Sequence, residues 1–253
     1  MQANIKVSII TVTLNSEKTI AKTIESVLSQ TYTNLEYIII DGLSNDSTIN
    51  IAESYRPKFQ AKDISYQIVS EPDRGMYDAL NKGIKLASGL IIGSINSDDW
   101  YEPIAVETVV ETYKKRPFEM FYADLRIIDR SKEWVKKAKL KRIISSRYWN
   151  HPTTFITKEL YDKYQYSLES GYDDFDLMLR IRKDKRNRVV TNSTVIANFR
   201  SGGLSTRASF GESIRKIKQR YRVYSKNGMS RFYLLDCITV ELLKFMFYKR
   251  NSQ

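Results

Sequence analysis

The chain holds one cysteine, one histidine, five prolines and ten glycines in 253 residues. A lone thiol, Cys237, makes no intramolecular disulfide, and no cysteine pair or Cys/His cluster is available for zinc, so a reducing compartment fits best. No Pro/Gly/Ser-rich linker and no internal repeat occurs, which argues against separable domains and against solenoids or propellers. Long apolar runs are also missing. Spanning a bilayer takes ~20 predominantly apolar residues, and the most hydrophobic part of the tail, Phe232 to Phe247, is broken by Asp236, Glu241 and Lys244. It is expected either to lie at an interface or to dock on the rest of the chain. The N-terminal MQANIKVSIITVTLN has no basic leader or unbroken apolar core, and the protein is expected to stay in the cytosol. Neither G-x-G-x-x-G nor G-x-x-x-x-G-K-[ST] is present, which disfavours dinucleotide dehydrogenases and P-loop ATPases.

What is present is a globular composition, 42% hydrophobic and 12% aromatic, with a formal net charge of +12. The excess cations gather late, at Lys136, Lys137, Lys139, Lys141 and Arg142 and again at Arg215, Lys216, Lys218, Arg220 and Arg222. Interleaved Ile214, Ile217, Tyr221 and Tyr224 make the second group a candidate basic amphipathic helix, suited to an anionic membrane surface on the inner face of the plasma membrane. A solvated charged face explains the same pattern equally well. Nucleic acid is not the expected partner.

Along the chain, Val7 to Val12 reads as a strand, followed by Asn15 and a helix with Ile20, Ile24, Val27 and Leu28 on one face. Leu35 to Ile40 is a second strand, apolar on both faces, ending in Asp41 and Gly42, after which Asn45 or Asp46 can cap a helix. Ser65 to Val69 leads through EPDRG to a helix with Tyr77, Leu80, Ile84 and Ala87 aligned. Leu90 to Ile95 ends in Asn96, Ser97, Asp98 and Asp99. Alternating strands and helices, with polar residues just past strand ends, predict an α/β fold: a Rossmann-like, mostly parallel sheet with a ligand crevice where Asn15, Asp41, Asp73 and Asp98 converge. A crevice lined by carboxylates repels a bare diphosphate and needs a bridging divalent cation. Asp98 beside Asp99 is a candidate oxygen-donor site for Mg²⁺ or Mn²⁺; an Asp-Asp pair is also an ordinary turn.

Five segments in order, VSIITVTLN (7–15), IIIDGLSNDST (38–48), EPDRGMYDALNKG (71–83), INSDDWYEP (95–103) and YDDFDLMLR (172–180), resemble family 2 glycosyltransferases of the glycosyltransferase A fold. The resemblance covers roughly residues 5–205. It implies an inverting transfer from a nucleotide-sugar, a UDP-sugar most commonly, to a glycan or lipid-linked glycan in cell-surface polysaccharide synthesis. Carried over by position, it puts Val12, Leu14 and Asp41 on the nucleoside, Asp73 on the base, Asp98 on the metal and Asp174 in the role of catalytic base. Asn15, Arg74, Asn96 and Ser97 complete the donor set. The domains then divide as a catalytic unit, 1–205, with a nucleotide-sugar half (1–99) and an acceptor half (100–205), and a basic helical tail, 206–253.

Three positions depart from the family pattern. Asn96 stands where the first acid of an Asp-x-Asp is usual, and as a neutral amide it suits ribose or sugar better than a cation. Gly42 replaces a frequent second Asp, and Leu14 an aromatic that would stack on the base. Arg74 and Arg207 are candidate cations for the departing diphosphate. On the acceptor side, Asp174 heads a helix with Phe175, Met178 and Leu179 on one face, where Asp173 and Asp174 both compete for the N-cap. Asp124, Asp173, the loop SGGLS (201–205) and His151 are expected near the acceptor, His151 being equally readable as a metal ligand or a structural histidine. The aromatics Trp134, Tyr148, Trp149, Tyr161, Tyr164 and Tyr166 suit sugar stacking or core anchoring. Two other functions share features with the sequence: a sugar nucleotidyltransferase, for which no Gly-rich basic loop follows the first strand, and a nucleic-acid-binding module, suggested by charge alone.

Overall fold

The computed structural model describes residues 5–129, 132–201 and 210–250. Its first half alternates strand with helix: β1 (Val7–Thr13), α1 (Ile20–Leu28), β2 (Leu35–Asp41), α2 (Thr48–Ser54), α3 (Arg56–Gln60), β3 (Ser65–Ser70), α4 (Met76–Leu86) and β4 (Ile91–Ser94). Strands β3-β2-β1-β4 lie side by side and parallel. Parallel strands buried on both faces need apolar residues throughout, which is why Val7–Thr13 and Leu35–Asp41 are buried at every position.

The second half extends the same sheet. It contains β5 (Trp100–Tyr101), α5 (Ala105–Lys115), β6 (Met120–Asp129), β7 (Lys132–Lys136), 3-10 turns at Ser146–Tyr148 and His151–Thr153, β8 (Phe155–Thr157), α6 (Lys158–Lys163), α7 (Asp173–Lys183) and β9 (Val189–Arg200). Short β8 runs antiparallel between β4 and β6, and β9 runs parallel to β6, giving the order β3-β2-β1-β4-β8-β6-β9-β5 with β7 hairpinned onto β6. Strand β6 runs on to Asp129, with Leu125 buried and Ile127 partly buried beyond a bulge at Asp124. Helix α2 starts at Thr48; Ser47 holds the cap position without a side-chain bond, while Asp46 accepts the Thr48 amide at 2.9 Å.

Residue parity sorts the core into two layers. Ile9, Tyr37 and Ile39 face α1, α3 and α5; Ile10, Ile38 and Ile40 face α4 and α7. Two C-terminal helices, α8 (Phe210–Lys226) and α9 (Tyr233–Arg250), complete the second layer, with Val223, Tyr224 and Cys237 buried among α7 residues. Of the two expectations for the tail, docking is therefore seen for its inner face. At about 1.5–3 kcal/mol per large buried apolar side chain, this packing makes α8 and α9 a structural brace. Among the described residues no helix is long and apolar enough to cross a membrane.

Candidate active site

The loops leaving β1 and β2 are stitched together. Asn15 adopts a left-handed backbone (φ 51°), so that its amide meets Ser44 Oγ at 2.7 Å while its side-chain oxygen accepts the Asn45 amide at 2.9 Å. Ser16 donates its amide to Thr48 Oγ1 at 2.7 Å, and its hydroxyl lies 2.8 Å from Ser97 Oγ, tying the first loop to the segment after β4. Asp41 is fully buried and accepts from the Ser44 amide (2.9 Å), Ser70 Oγ (2.6 Å) and Ser44 Oγ. Its carboxylate ties the loop after β2 to the end of β3.

Gly42 is where the loop after β2 meets EPDRG: a Cβ there would lie 2.5 Å from Asp73 Oδ2. Glycine at this position lets the Asp73 carboxylate approach the β2 loop, while Asp73 Oδ1 accepts the Gly75 amide at 2.7 Å. Val12 is buried beneath, and Leu14 and Leu43 project into solvent at 56% and 53% exposure. Arg74 is exposed and reaches Asp78 at 3.3 Å. Arg207 and the SGGLS residues after Ser201 lie outside the described residues.

The segment after β4 is anchored from α1, where Thr23 Oγ1 donates to the Asp99 carbonyl at 2.6 Å. Asn96 and Asp98 are half-buried and Ser97 is buried. Burial raises the Asp98 carboxyl above its ordinary value. Burial, with the neighbouring Asp98 charge, raises Asp99 further. One Asp99 oxygen accepts the Arg200 amide at 3.0 Å; the other is buried without a partner. Two adjacent acids held up by desolvation, one of them raised also by its neighbour's charge and left with an orphaned oxygen, fit a divalent cation, whose charge would relieve these penalties. Among the described residues no group of three His, Cys, Asp or Glu comes close enough to hold a metal, so a cation here would take its remaining ligands from water or a bound diphosphate. Arg200, which stacks 5.5 Å from the Trp100 ring centroid and lowers both acids electrostatically, was not foreseen.

Asp174, at the start of α7, meets α4. Its Oδ1 accepts from Tyr77 Oη at 2.9 Å and from the Phe175 amide at 2.7 Å, leaving Oδ2 without a hydrogen bond among the described residues. Burial, then the Asp174 charge, pushes the Tyr77 phenol far up, so it stays a donor. The Tyr77 ring stacks on Tyr166 (5.3 Å), whose hydroxyl lies 3.3 Å from His151 Nε2. Burial lowers the His151 imidazole although the Asp174 charge opposes it, so histidine and carboxylate share one field. Tyr77 is the residue whose role sequence reasoning missed, while Tyr166 takes the anchoring place that the sequence offered for it. Helical spacing assigned Tyr77 to a core face, and nothing local signals where its hydroxyl points.

Two acceptor-side candidates have local partners. Asp173 is buried and accepts from the Glu169 and Ser170 amides (2.8 and 3.0 Å) and the Ser167 and Ser170 hydroxyls, which makes it the organiser of the 167–172 loop. Asp124 is buried and occupied by Lys137 Nζ (2.8 Å) and the Ala138 amide (2.7 Å). Both carboxylates serve local structure because backbone amides reach them first. Neither Asp173 nor Asp174 acts as the N-cap, which falls on Tyr172. Trp149, Tyr161 and Tyr166 are buried anchors.

Comparison with known proteins bears on the family and the fold. The profile described as "Glycosyl transferase family 2" matches residues 8–180. Over 98% of both chains, the protein is 25% identical to UDP-Glc:alpha-D-GlcNAc-diphosphoundecaprenol beta-1,3-glucosyltransferase WfgD of Escherichia coli. It is 34% identical to Escherichia coli chondroitin synthase over 49% of this chain and 18% of that one. Among solved structures, S. aureus TarS 1-349 in complex with UDP-GlcNAc superposes with a TM-score of 0.68 at 19% identity, over 88% of this chain and 65% of that one. The mannosyltransferase PcManGT from Pyrobaculum calidifontis, in complex with GDP-Man and Mn2+, gives 0.67 at 16% identity over 94% and 69%. The chain spans less than two-thirds of the S. aureus chains it matches. With most of the chain inside the family profile and the fold shared, the protein belongs to glycosyl transferase family 2 and is a glycosyltransferase of the glycosyltransferase A fold.

Proposed function

We propose that the protein transfers a sugar, with inversion, from a UDP-sugar to a lipid-linked glycan during cell-surface polysaccharide synthesis. The observation that carries this reading is the Tyr77–Asp174 hydrogen bond, which sets a carboxylate with one open oxygen against the helix that follows the donor-side EPDRG loop. Inversion needs the acceptor to attack opposite the leaving group. Asp174 Oδ2 takes the acceptor hydroxyl proton as the new carbon–oxygen bond forms, and the anomeric carbon–oxygen bond to the diphosphate breaks with its electron pair leaving on UDP. Tyr77 keeps Oδ1 occupied and the carboxylate oriented.

On the donor side, Val12, Leu14, Asn15, Asp41 and Asp73 line the nucleoside end, and Asn96, Ser97 and Arg74 the sugar-diphosphate end. Asp98, with the open oxygen of Asp99, would hold Mn²⁺ or Mg²⁺, which supplies charge neutralisation for the departing diphosphate. The E. coli relative's name supplies the acceptor class, a sugar on a polyprenyl diphosphate. A face suited to that substrate's membrane supports the choice. Phe232, just before α9, and Leu235 and Leu242 on α9 are exposed, and so are Lys141, Arg142 and Ile143. The two stretches adjoin, since Tyr233 Oη accepts the Ile144 amide at 3.2 Å. Anionic lipid attracts such a basic, apolar rim.

Thermal-shift titration of UDP and GDP, with and without Mn²⁺, tests the donor and metal together. Ligand at ~100 times its dissociation constant stabilises by ~2.7 kcal/mol. UDP with Mn²⁺ is expected to give the largest shift, and Asp98→Asn to remove its Mn²⁺-dependent part while leaving the unliganded melting temperature nearly unchanged. Equal shifts for Asp98→Asn and the natural protein would move the metal elsewhere.

A further inference from the structure

The segment that carries Asp174 is held from behind by the tail. Arg220 and Tyr224 on α8, and Asn227 in the turn that directly follows it, recur at helical spacing and meet the segment around α7. The Arg220 guanidinium lies 5.3 Å over the Tyr172 ring, the Tyr224 ring meets Phe175 edge-on at 5.2 Å, and Asn227 Nδ2 donates to Asp176 Oδ1 at 2.7 Å. Lys226 adds an ion pair to Glu169 at 2.8 Å. Asn227 is buried, its carbonyl also accepts from Lys183 Nζ at the far end of α7, and its own amide is fixed on the Val223 carbonyl at 2.9 Å. Arg220 is in turn buried and paired with Glu241 of α9 at 3.0 Å. These contacts fall on residues to either side of Asp174 and none falls on Asp174, whose carboxylate is left to Tyr77.

The geometry points to α8 as the positioning element for the general base, with Asn227 its central positioning residue. This inference rests on the base role proposed above for Asp174. Fixing the backbone at 172, 175 and 176 sets where Oδ2 can sit, and a displacement of ~1 Å at a reacting group can cost ~10²-fold in rate. The tail therefore acts on the proton-transfer step as well as on stability. It should leave donor capture alone, because α8 makes its contacts at the acceptor side of the crevice.

The test is a double-mutant cycle of Asn227→Ala with Asp174→Asn in the full chain. Single-turnover transfer is measured from UDP-glucose with Mn²⁺ to a short-chain lipid diphosphate bearing N-acetylglucosamine, and UDP affinity by calorimetry. Asn227→Ala is expected to lower the transfer rate about tenfold with UDP affinity unchanged within about twofold, and to have no further effect once Asp174 is Asn. Equal rate losses in both backgrounds would mean general loosening and overturn the inference, as would an unchanged rate in Asn227→Ala alone. If Asn227→Ala does not fold, Lys226→Gln, which breaks only the pairs that half-exposed Lys226 makes to Glu169 and to buried Asp176, is read in the same cycle with an expected two- to threefold loss. Transfer untouched by Asp174→Asn would instead sink the base assignment, an outcome visible before Asn227 is changed.

Discussion

The proposed donor wall and the proposed acceptor wall of the site are built in different ways. On the donor wall, loops that follow neighbouring parallel strands fasten to one another through short polar side chains, as where Asn15, Ser16 and Glu17 meet Ser44 to Thr48. Each functional group there lies a few residues past a strand end, so strand register places it. On the acceptor wall, Asp174 is fixed by Tyr77, 97 residues earlier, and its flank by Asn227, 51 residues after Asp176. A local motif makes the first wall. The second depends on tertiary packing, and it is the wall where small displacements reach the chemistry.

The largest expected effect breaks the acceptor wall alone. Asp174→Asn keeps size and much of the hydrogen bonding and removes the proton acceptor, so transfer should fall ~10²- to 10⁴-fold with UDP affinity intact, since general-base assistance is worth that range. Asp173→Asn is the informative contrast. It disturbs the 167–172 loop and should reduce melting temperature along with rate. A normal transfer rate in Asp174→Asn, set beside a dead Asp173→Asn of unchanged stability, would exchange the two roles.

The same contrast explains what the sequence reveals. The parallel block, the order of its helices and the polar strand ends are written in local periodicity, and the acids at 41, 73 and 98 follow from it. Asp124 and Asp173 are indistinguishable by type from carboxylates that face a crevice, because the amides that satisfy them become neighbours only on folding. Tyr77 and Asn227 read as members of helix faces; the direction of a hydroxyl or an amide is a tertiary fact. The basic run of α8 reads as a membrane or solvent face, and buried Arg220 departs from it because the Tyr172 ring and Glu241 receive its charge.

An intermediate effect separates stability from both walls. Glu36 lies on β2, near the end opposite Asp41, and receives Lys6 Nζ (2.8 Å), Ser8 Oγ (2.6 Å) and the Ser88 amide and hydroxyl (2.6 and 2.8 Å). Burial alone would raise this carboxyl; the hydrogen bonds outweigh it and hold the group at about 2 against an ordinary 4.5. A depressed carboxyl contributes stability that is complete above its unfolded value and is lost as pH falls from about 4.5 toward about 2, here on the order of 3 kcal/mol. Glu36→Gln should therefore lower unfolding free energy at pH 7 by roughly 2–3 kcal/mol and flatten its acid slope, with transfer and UDP binding unchanged at temperatures where the variant stays folded. Chemical unfolding at pH 7 and pH 3 measures both. An undiminished acid slope in the variant would place the linkage on other carboxylates.

The smallest effect sharpens the donor wall. Leu14 and Leu43 are both exposed, and at the proposed nucleoside end an aromatic ring in place of Leu14 would offer a flat partner to a base. Stacking of aromatic rings is worth ~0.5–1.5 kcal/mol beyond area burial, so Leu14→Tyr should tighten UDP binding by about two- to tenfold. The side chain projects into water and packs on nothing that must yield, so melting temperature should stay level. Because the donor wall is assembled locally, the gain should appear in UDP affinity and leave the single-turnover transfer rate at saturating donor unchanged. Calorimetry on Leu14→Tyr and on Leu14→Tyr combined with Asp174→Asn gives the sharper reading: the same gain in both backgrounds means that the two walls act independently. A gain that vanishes in the Asp174→Asn background would show the walls coupled through the Tyr77 bridge, and the separation between local donor capture and packed acceptor chemistry would then be wrong.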